Sequence, residues 1–166
     1  MAITNFSLDD KYNKKHLRNA RNTSNYIFNC GGYALNTYSW YVPRDDYHKY
    51  NSGFYGYDDI DEEMSIEDQE REEQKAILQI LSEFFDTRII NNLDELQPDE
   101  YAFAFRIGVI SNDFHFIKRA NNGHWYEKRG MTPIHRVSKK YVFSAIWNNS
   151  PECQYCGNIF LFAKKK

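Results

Sequence analysis

Glycine and proline are scarce in this sequence, eight and four among 166 residues, which excludes a collagen-like or low-complexity chain. Cysteine is scarcer still. Three are present, an odd number and too few for the disulfide framework of a small secreted scaffold. No apolar run approaches the ~18 residues that a membrane helix needs. Neither sign of charge dominates: 21 Lys and Arg stand against 23 Asp and Glu, a formal net charge of -2. Nothing in that balance demands nucleic acid or a membrane as partner. The first ten residues lack the basic flank and apolar stretch of a secretory signal, so the expected compartment is the cytoplasm of the producing cell or of an infected host.

Aromatics are abundant at 17%, with 13 Tyr and 12 Phe, and supply ample material for a core. The length fits a single domain, 1–166, carrying an extension. Lys11, Lys14, Lys15, His16, Arg18 and Arg21 mark 9–21 as a solvated segment. Residues 40–57, rich in Tyr, Asp, Gly and Pro, read as loop. Residues 58–73 hold ten acidic residues against one Arg. Within them Ser65-Ile66-Glu67-Asp68 has the form of a helix start capped by Ser65. Ile77, Leu78, Leu81, Phe84 and Phe85 follow at helical spacing, so a helix is expected from about 66 to 85, polar first and amphipathic later. The stretch at about 58–85 is therefore read as an acidic helical insertion.

From Glu100 the pattern changes to strands. Residues 101–107 place an aromatic or apolar side chain at every other position. Residues 114–119 and 124–128 flank Asn121-Asn122-Gly123, a strong hairpin signal. Residues 141–147 and 158–163 are expected to form another strand pair around 151–157. Helices come first and an antiparallel sheet follows, so the fold class is α+β.

Two residues carry the chemistry. Asn29-Cys30-Gly31-Gly32-Tyr33-Ala34-Leu35 places a thiol in the first turn of a helix with Asn29 as N-cap. A helix start favours negative charge, which suits a thiolate nucleophile. Asp113-Phe114-His115-Phe116-Ile117 places an imidazole at the start of a strand, where it can accept a thiol proton and later return it to a leaving group. A third group should orient the ring. With a loop of 121–123, Ile117 pairs with Glu127, and His115 and Glu127 become diagonal neighbours on one face. With a loop of only Asn122-Gly123, the register slips and Glu127 faces away. Asn112, Asp113 and Asn148 are the rivals. Cys153-Gln154-Tyr155-Cys156 is a lone Cys-x-x-Cys with no second ligand pair, and is read as a reduced turn rather than a zinc site. His16, His48, His124 and His135 show no ligand spacing. No metal or other cofactor is expected.

The segment 29–35, with His115-Phe116, Arg119, Gly123, Trp125, Lys128 and Gly130, resembles a pattern in small bacterial and phage proteins whose cores are similar to papain-like, and especially NlpC-like, cysteine peptidases. That pattern runs Asn-Cys-x-x-Tyr-Ala, then Asp-x-His-Phe with an Arg, then Gly-x-Trp-x-His-Lys. The likeness covers about 29–36 and 100–130. It departs at Glu127, where the pattern carries a His. The third polar residue of NlpC-like enzymes is a His, Asn or Gln. The resemblance implies a papain-like core in which an N-terminal helix bearing Cys30 packs on an antiparallel sheet bearing His115.

The expected function is that of a cysteine peptidase or amidase. A thiol hydrolase or transferase would act on a peptide, isopeptide or amide bond of a protein or peptide substrate, with Cys30, His115 and Glu127 in the site. The backbone N–H of Cys30 would support the oxyanion, and Asn29 would add a donor if it is not used as a cap. The alternative is a non-enzymatic phage or bacterial inhibitor that binds through its acidic surface.

Overall fold

The computed structural model describes residues 28–37, 65–108, 114–130, 132, 134–150 and 153–166. The basic segment at 9–21, the loop at 40–57, the opening of the acidic run at 58–64, and Asn112 and Asp113 lie outside the described residues. The chain divides into two compact units, Met1–Tyr41 with Arg88–Lys166, and Val42–Thr87. In chain order the described elements are a short helix α1 (Cys30–Ala34), a long helix α2 (Ile66–Phe84), and strands β1 (Thr87–Ile90), β2 (Glu100–Ile107), β3 (Phe114–Arg119), β4 (Trp125–Glu127) and β5 (His135–Val137). A one-turn helix α3 (Lys139–Val142) and strands β6 (Trp147–Ser150), β7 (Cys153–Tyr155) and β8 (Phe160–Lys165) complete them. The fold is α+β, with a mostly antiparallel sheet. No described helix is long and apolar enough to cross a membrane.

In the smaller unit, Ser65 caps α2 by accepting from the Asp68 N–H at 3.2 Å. In the first half of α2 the Arg71–Asp68 pair, 3.0 Å, is exposed. Such pairs contribute about 0–1 kcal/mol. Its second half buries Ala76, Ile77, Ile80 and Leu81, which fall on one stripe. The Thr87 hydroxyl donates to the Leu81 carbonyl at 2.6 Å near the end of the helix.

The larger unit is built on a six-stranded sheet of order β1-β8-β2-β3-β4-β5. Strand β2 pairs antiparallel with β8 on one side and β3 on the other. Its alternation sorts the core. Phe103 and Phe105 turn to one face, where Phe103 stacks on Phe162 at 5.1 Å and Phe105 meets Phe116 at 5.0 Å. Ala102 and Ala104 turn to the other, joining Ile117, Leu161 and Ala163 in a cluster with Trp125, Val142, Trp147 and Tyr155. The β3–β4 hairpin has the three-residue loop: Ala120 N–H donates to the His124 carbonyl at 2.8 Å, and Gly123 supplies the positive φ of 81° that the turn requires.

The strand expected at 141–147 is a helix and a turn. Ser138 caps α3 by accepting from the Tyr141 N–H at 3.1 Å, and this local bond starts a helical turn inside the apolar run. The strand pair around 151–157 is β6–β7, a separate two-stranded sheet, while β8 leaves it to pair with β2. Arg106 explains the turn. Its buried guanidinium donates to the carbonyls of Gly157 at 2.6 Å, Ser144 at 3.0 Å and Ala145, and lies 5.4 Å from the Trp147 ring centroid. Gly157 comes so close to Ile107 that a Cβ would lie 3.1 Å from its side chain. One cation thus holds the 144–157 segment on the sheet. Arg106→Met, which leaves three carbonyls without their donor, is expected to lower stability by at least about 3 kcal/mol in urea unfolding, whereas Lys165→Met, at an exposed pair with Asp99, is expected to shift it by less than about 1 kcal/mol.

Candidate active site

Helix α1 is only five residues long, so its position depends on its ends. At its start the Asn29 carboxamide oxygen accepts from the Gly32 N–H at 3.0 Å. That oxygen is the cap, and it places Cys30 as the first helical residue. At its far end the Tyr101 hydroxyl donates to the Ala34 carbonyl at 2.7 Å. Lys118 donates to the Tyr33 carbonyl at 3.5 Å and to the Asn36 carboxamide oxygen. The Lys118 ammonium lies 4.9 Å from the centroids of both the Tyr33 and Tyr101 rings. Residues of β2 and β3 therefore fix the helix that carries the thiol. Burial, with Lys164 as a like charge, brings the pKa of Lys118 down to about 7.

His115 is the second residue of β3 and is 2% exposed. Its ring stacks on Tyr155 with centroids 5.2 Å apart and meets Trp147 edge-on at 6.0 Å. Its Nε2 lies 2.7 Å from Oε2 of Glu127. The register pairs Ile117 with Glu127, which makes His115 and Glu127 diagonal neighbours. The ring also shares a hydrogen bond with the Cys30 thiol. With Nε2 committed to Glu127, Nδ1 is the ring nitrogen left for the thiol.

Glu127 has no exposed surface. Its other oxygen, Oε1, accepts from Arg129 Nε at 3.0 Å and lies 2.8 Å from His135 Nε2. Arg129 is aimed in turn by the Tyr141 hydroxyl, 3.0 Å from Nη2, and by the Asn148 carboxamide oxygen, 3.3 Å from Nη1. Asn148 adopts a left-handed φ of 50° there, and its N–H donates to the same hydroxyl at 2.9 Å. Of the rivals to Glu127, Asn148 acts on Arg129. Asn112 and Asp113 lie outside the described residues. Burial alone would push the Glu127 carboxyl up, but the hydrogen bond and charge of His115, with Arg129 and His135, hold it below the usual value. Burial likewise acts to lower His115. The Cys30 and Glu127 hydrogen bonds outweigh it, and the pKa rises to about 9. The imidazole therefore holds its proton at neutral pH.

Lys128, next to Glu127, is fully buried. Its ammonium donates to the Gly130 carbonyl and lies 5.1 Å from the Phe28 ring centroid. Burial lowers its pKa to about 8 against the opposing pull of Cys30. Cys156 is a free, half-buried thiol. Among the described residues no group of three or more His, Cys, Asp or Glu is placed to hold a metal.

Arg129, His135 and Tyr141 carry no signal that spacing alone makes legible. Glu127 and Arg129 do stand two apart at a strand end, which in extended chain puts them on one side. The chain matches no protein-family model, no curated protein and no solved structure.

Two pH dependences of opposite sign follow. Folding raises His115 from 6.5 to about 9, so its contribution to stability is complete below pH 6.5 and is lost as pH rises through about 9. Folding lowers Lys118 from 10.5 to about 7, so its burial cost is full below pH 7 and is relieved as pH rises toward 10.5. The stability of Lys118→Met relative to the parent chain, from urea unfolding at each pH, is therefore expected to decline steadily between pH 7 and 10. A flat difference would show that Lys118 has no such shift. Glu127→Gln removes the hydrogen-bonded charge that supports the imidazolium, and is expected to bring the His115 titration, followed by NMR of the ring, at least one unit below its parent value.

Proposed function

We propose that this chain is a thiol hydrolase or transferase of papain-like, NlpC-like type that acts on a peptide, isopeptide or amide bond. One observation carries the reading: a buried imidazole hydrogen-bonded on one side to the Cys30 thiol and on the other to a buried carboxylate. Thiol, imidazole and orienting acid in one line suit nucleophilic acyl transfer. A structural role for His115 would not need its proton to be held between a sulfur and a carboxylate.

In the proposed reaction the proton that His115 holds at Nδ1 at neutral pH is the one it has taken from Cys30, so the sulfur is ready to attack. The sulfur attacks the carbonyl carbon and the C=O electrons move to oxygen. The backbone N–H of Cys30, in the first turn where helical pairing leaves amides free, donates to that oxyanion. The oxyanion collapses, the C–N bond breaks, and His115 gives its proton to the departing amine. A thioester on Cys30 remains. Water or a second amine then attacks it, His115 removes the incoming proton, and the sulfur leaves with that proton restored. Glu127 keeps Nε2 protonated and the ring in line throughout, and stays ionised because Arg129 and His135 share its other oxygen. The substitution of a carboxylate for the His, Asn or Gln of NlpC-like enzymes fits this role, since a carboxylate accepts the imidazole N–H with a full charge.

Iodoacetamide labelling read by peptide mass tests the reading. At pH 7 Cys30 in the folded chain is expected to react faster than Cys153 and Cys156, and His115→Ala is expected to slow Cys30 alone by about 100-fold. Equal labelling of the three thiols, or a rate at Cys30 that ignores His115, would end the enzymatic reading. A Cys30→Ala chain used as bait in lysate should retain the substrate that the parent chain releases.

A further inference from the structure

His115 stands directly opposite Arg106 in the β2–β3 pairing. Residues opposed in this way share a sheet face, so the imidazole and the guanidinium leave the sheet on one side. The β6–β7 ribbon meets both of them there. Within the ribbon Trp147 pairs with Tyr155, which puts these two rings on one face as well. Tyr155 lies near-parallel to the imidazole, with 28° between the planes and 5.2 Å between the centroids. Trp147 meets the same ring at 81° and 6.0 Å. A two-stranded ribbon is at best marginally stable alone, so it needs a seat on the sheet. Arg106 supplies one. It donates to the carbonyls of Ser144, just before β6, and Gly157, just after β7, and its guanidinium lies 5.4 Å from the Trp147 centroid. The Trp147 indole N–H donates to the Val142 carbonyl at 2.8 Å, which fixes that ring in turn. The residue opposite His115 thus anchors the element that carries two rings against the imidazole.

The imidazole needs that contact. Rotation about the Cβ–Cγ bond of histidine is intrinsically broad. Glu127 holds Nε2 at 2.7 Å, yet a hydrogen bond tolerates roughly 30° of departure from linearity. Rocking within that tolerance carries Nδ1 along with it. A flat ring stacked on the imidazole restricts the rocking, because tilting drives one ring into the other. We propose that Tyr155 is a positioning residue whose ring face sets the plane of the His115 imidazole, and with it the aim of Nδ1. The inference rests on the reading above, in which His115 serves Cys30. The flat face does the positioning rather than the hydroxyl, so phenylalanine preserves it. Leucine and methionine fill similar space without a flat face and release the ring. Arg106 acts on the imidazole through the ribbon it anchors. A catalytic group misplaced by about 1 Å loses about 100-fold in rate, so a ring that rocks in and out of line is expected to lose about tenfold.

Two readouts on the full chain test the proposal. The first is the NMR order parameter of the His115 ring, measured at its Cε1–H. It is expected at about 0.85 in the parent chain and in Tyr155→Phe, and below about 0.6 in Tyr155→Leu. The second is the iodoacetamide rate at Cys30 at pH 7. Tyr155→Leu should slow it about tenfold and Tyr155→Phe by less than about twofold. Added to His115→Ala, Tyr155→Leu should change nothing further. A merely structural tyrosine would lower stability and slow Cys30 equally in both backgrounds, with the ring still ordered. That result, a Tyr155→Leu chain with the parent rate, a mobile ring in the parent chain, or a Tyr155→Phe chain that behaves like Tyr155→Leu would each overturn the proposal. If Tyr155→Leu does not fold by circular dichroism, Tyr155→Met takes its place with the same expectations. A His115→Ala chain alkylated at the parent rate would overturn the function proposed above. The ring order in the Tyr155 variants would then still decide whether Tyr155 sets the plane of the imidazole.

Discussion

A carboxylate with no exposed surface sits at the centre of this unit. Glu127 must leave water entirely, and an isolated carboxylate would then take up a proton. It stays ionised because both oxygens are filled: Oε2 by His115, and Oε1 by Arg129 and His135. Everything around it follows from that requirement. Arg129 needs Tyr141 and Asn148 to aim it, Tyr141 needs α3 to present it, and α3 and β6 need Arg106 to hold their connection to the sheet. Asn148 accepts a left-handed backbone to keep its place in the chain of contacts. A strained residue beside a buried charge network marks where the fold spends stability on geometry.

The same arrangement sets the electrostatics of the thiol. His115 is buried, yet it keeps its proton at neutral pH because a sulfur and a carboxylate flank it. Lys118 and Lys128 are buried too, and both are pulled down by their surroundings. Lys118 fixes the last turn of the helix that bears Cys30, while Lys128 lies beside the segment entering it. Three titrating cations around one five-residue helix are costly for the fold. Their placement is understandable if the helix carries a group on which negative charge is to be formed.

Much of the site was legible because its decisive step is local. The hairpin 114–127 has a turn written as Asn121-Asn122-Gly123, and the alternation of two short strands leaves two registers. The loop closed by Ala120 and His124 selects the one that aligns His115 with Glu127. Asn29 and Ser65 likewise announced their helix starts through cap chemistry that acts over three residues. What stayed hidden is held by contacts distant in sequence. Strand β5 has three residues and an exposed face, so it shows no alternation, and His135 shows no ligand spacing. Residues 141–147 are apolar apart from Ser144, as a buried strand would be. The Ser138 cap and a guanidinium from β2, nearly forty residues away, decide otherwise. The anchoring of α1 by Lys118 spans more than eighty residues and leaves no trace in local pattern.

The central claim is that Glu127 acts on Cys30 only through the imidazole between them. A double-mutant cycle on the iodoacetamide rate at Cys30 measures this directly, using His115→Ala, Glu127→Gln and the pair of changes together at pH 7. If the three groups form one unit, Glu127→Gln slows the parent chain, and adding it to His115→Ala changes nothing further. If the two losses multiply instead, Glu127 influences the thiol independently of His115, and the line from carboxylate to imidazole to sulfur is not how this site works.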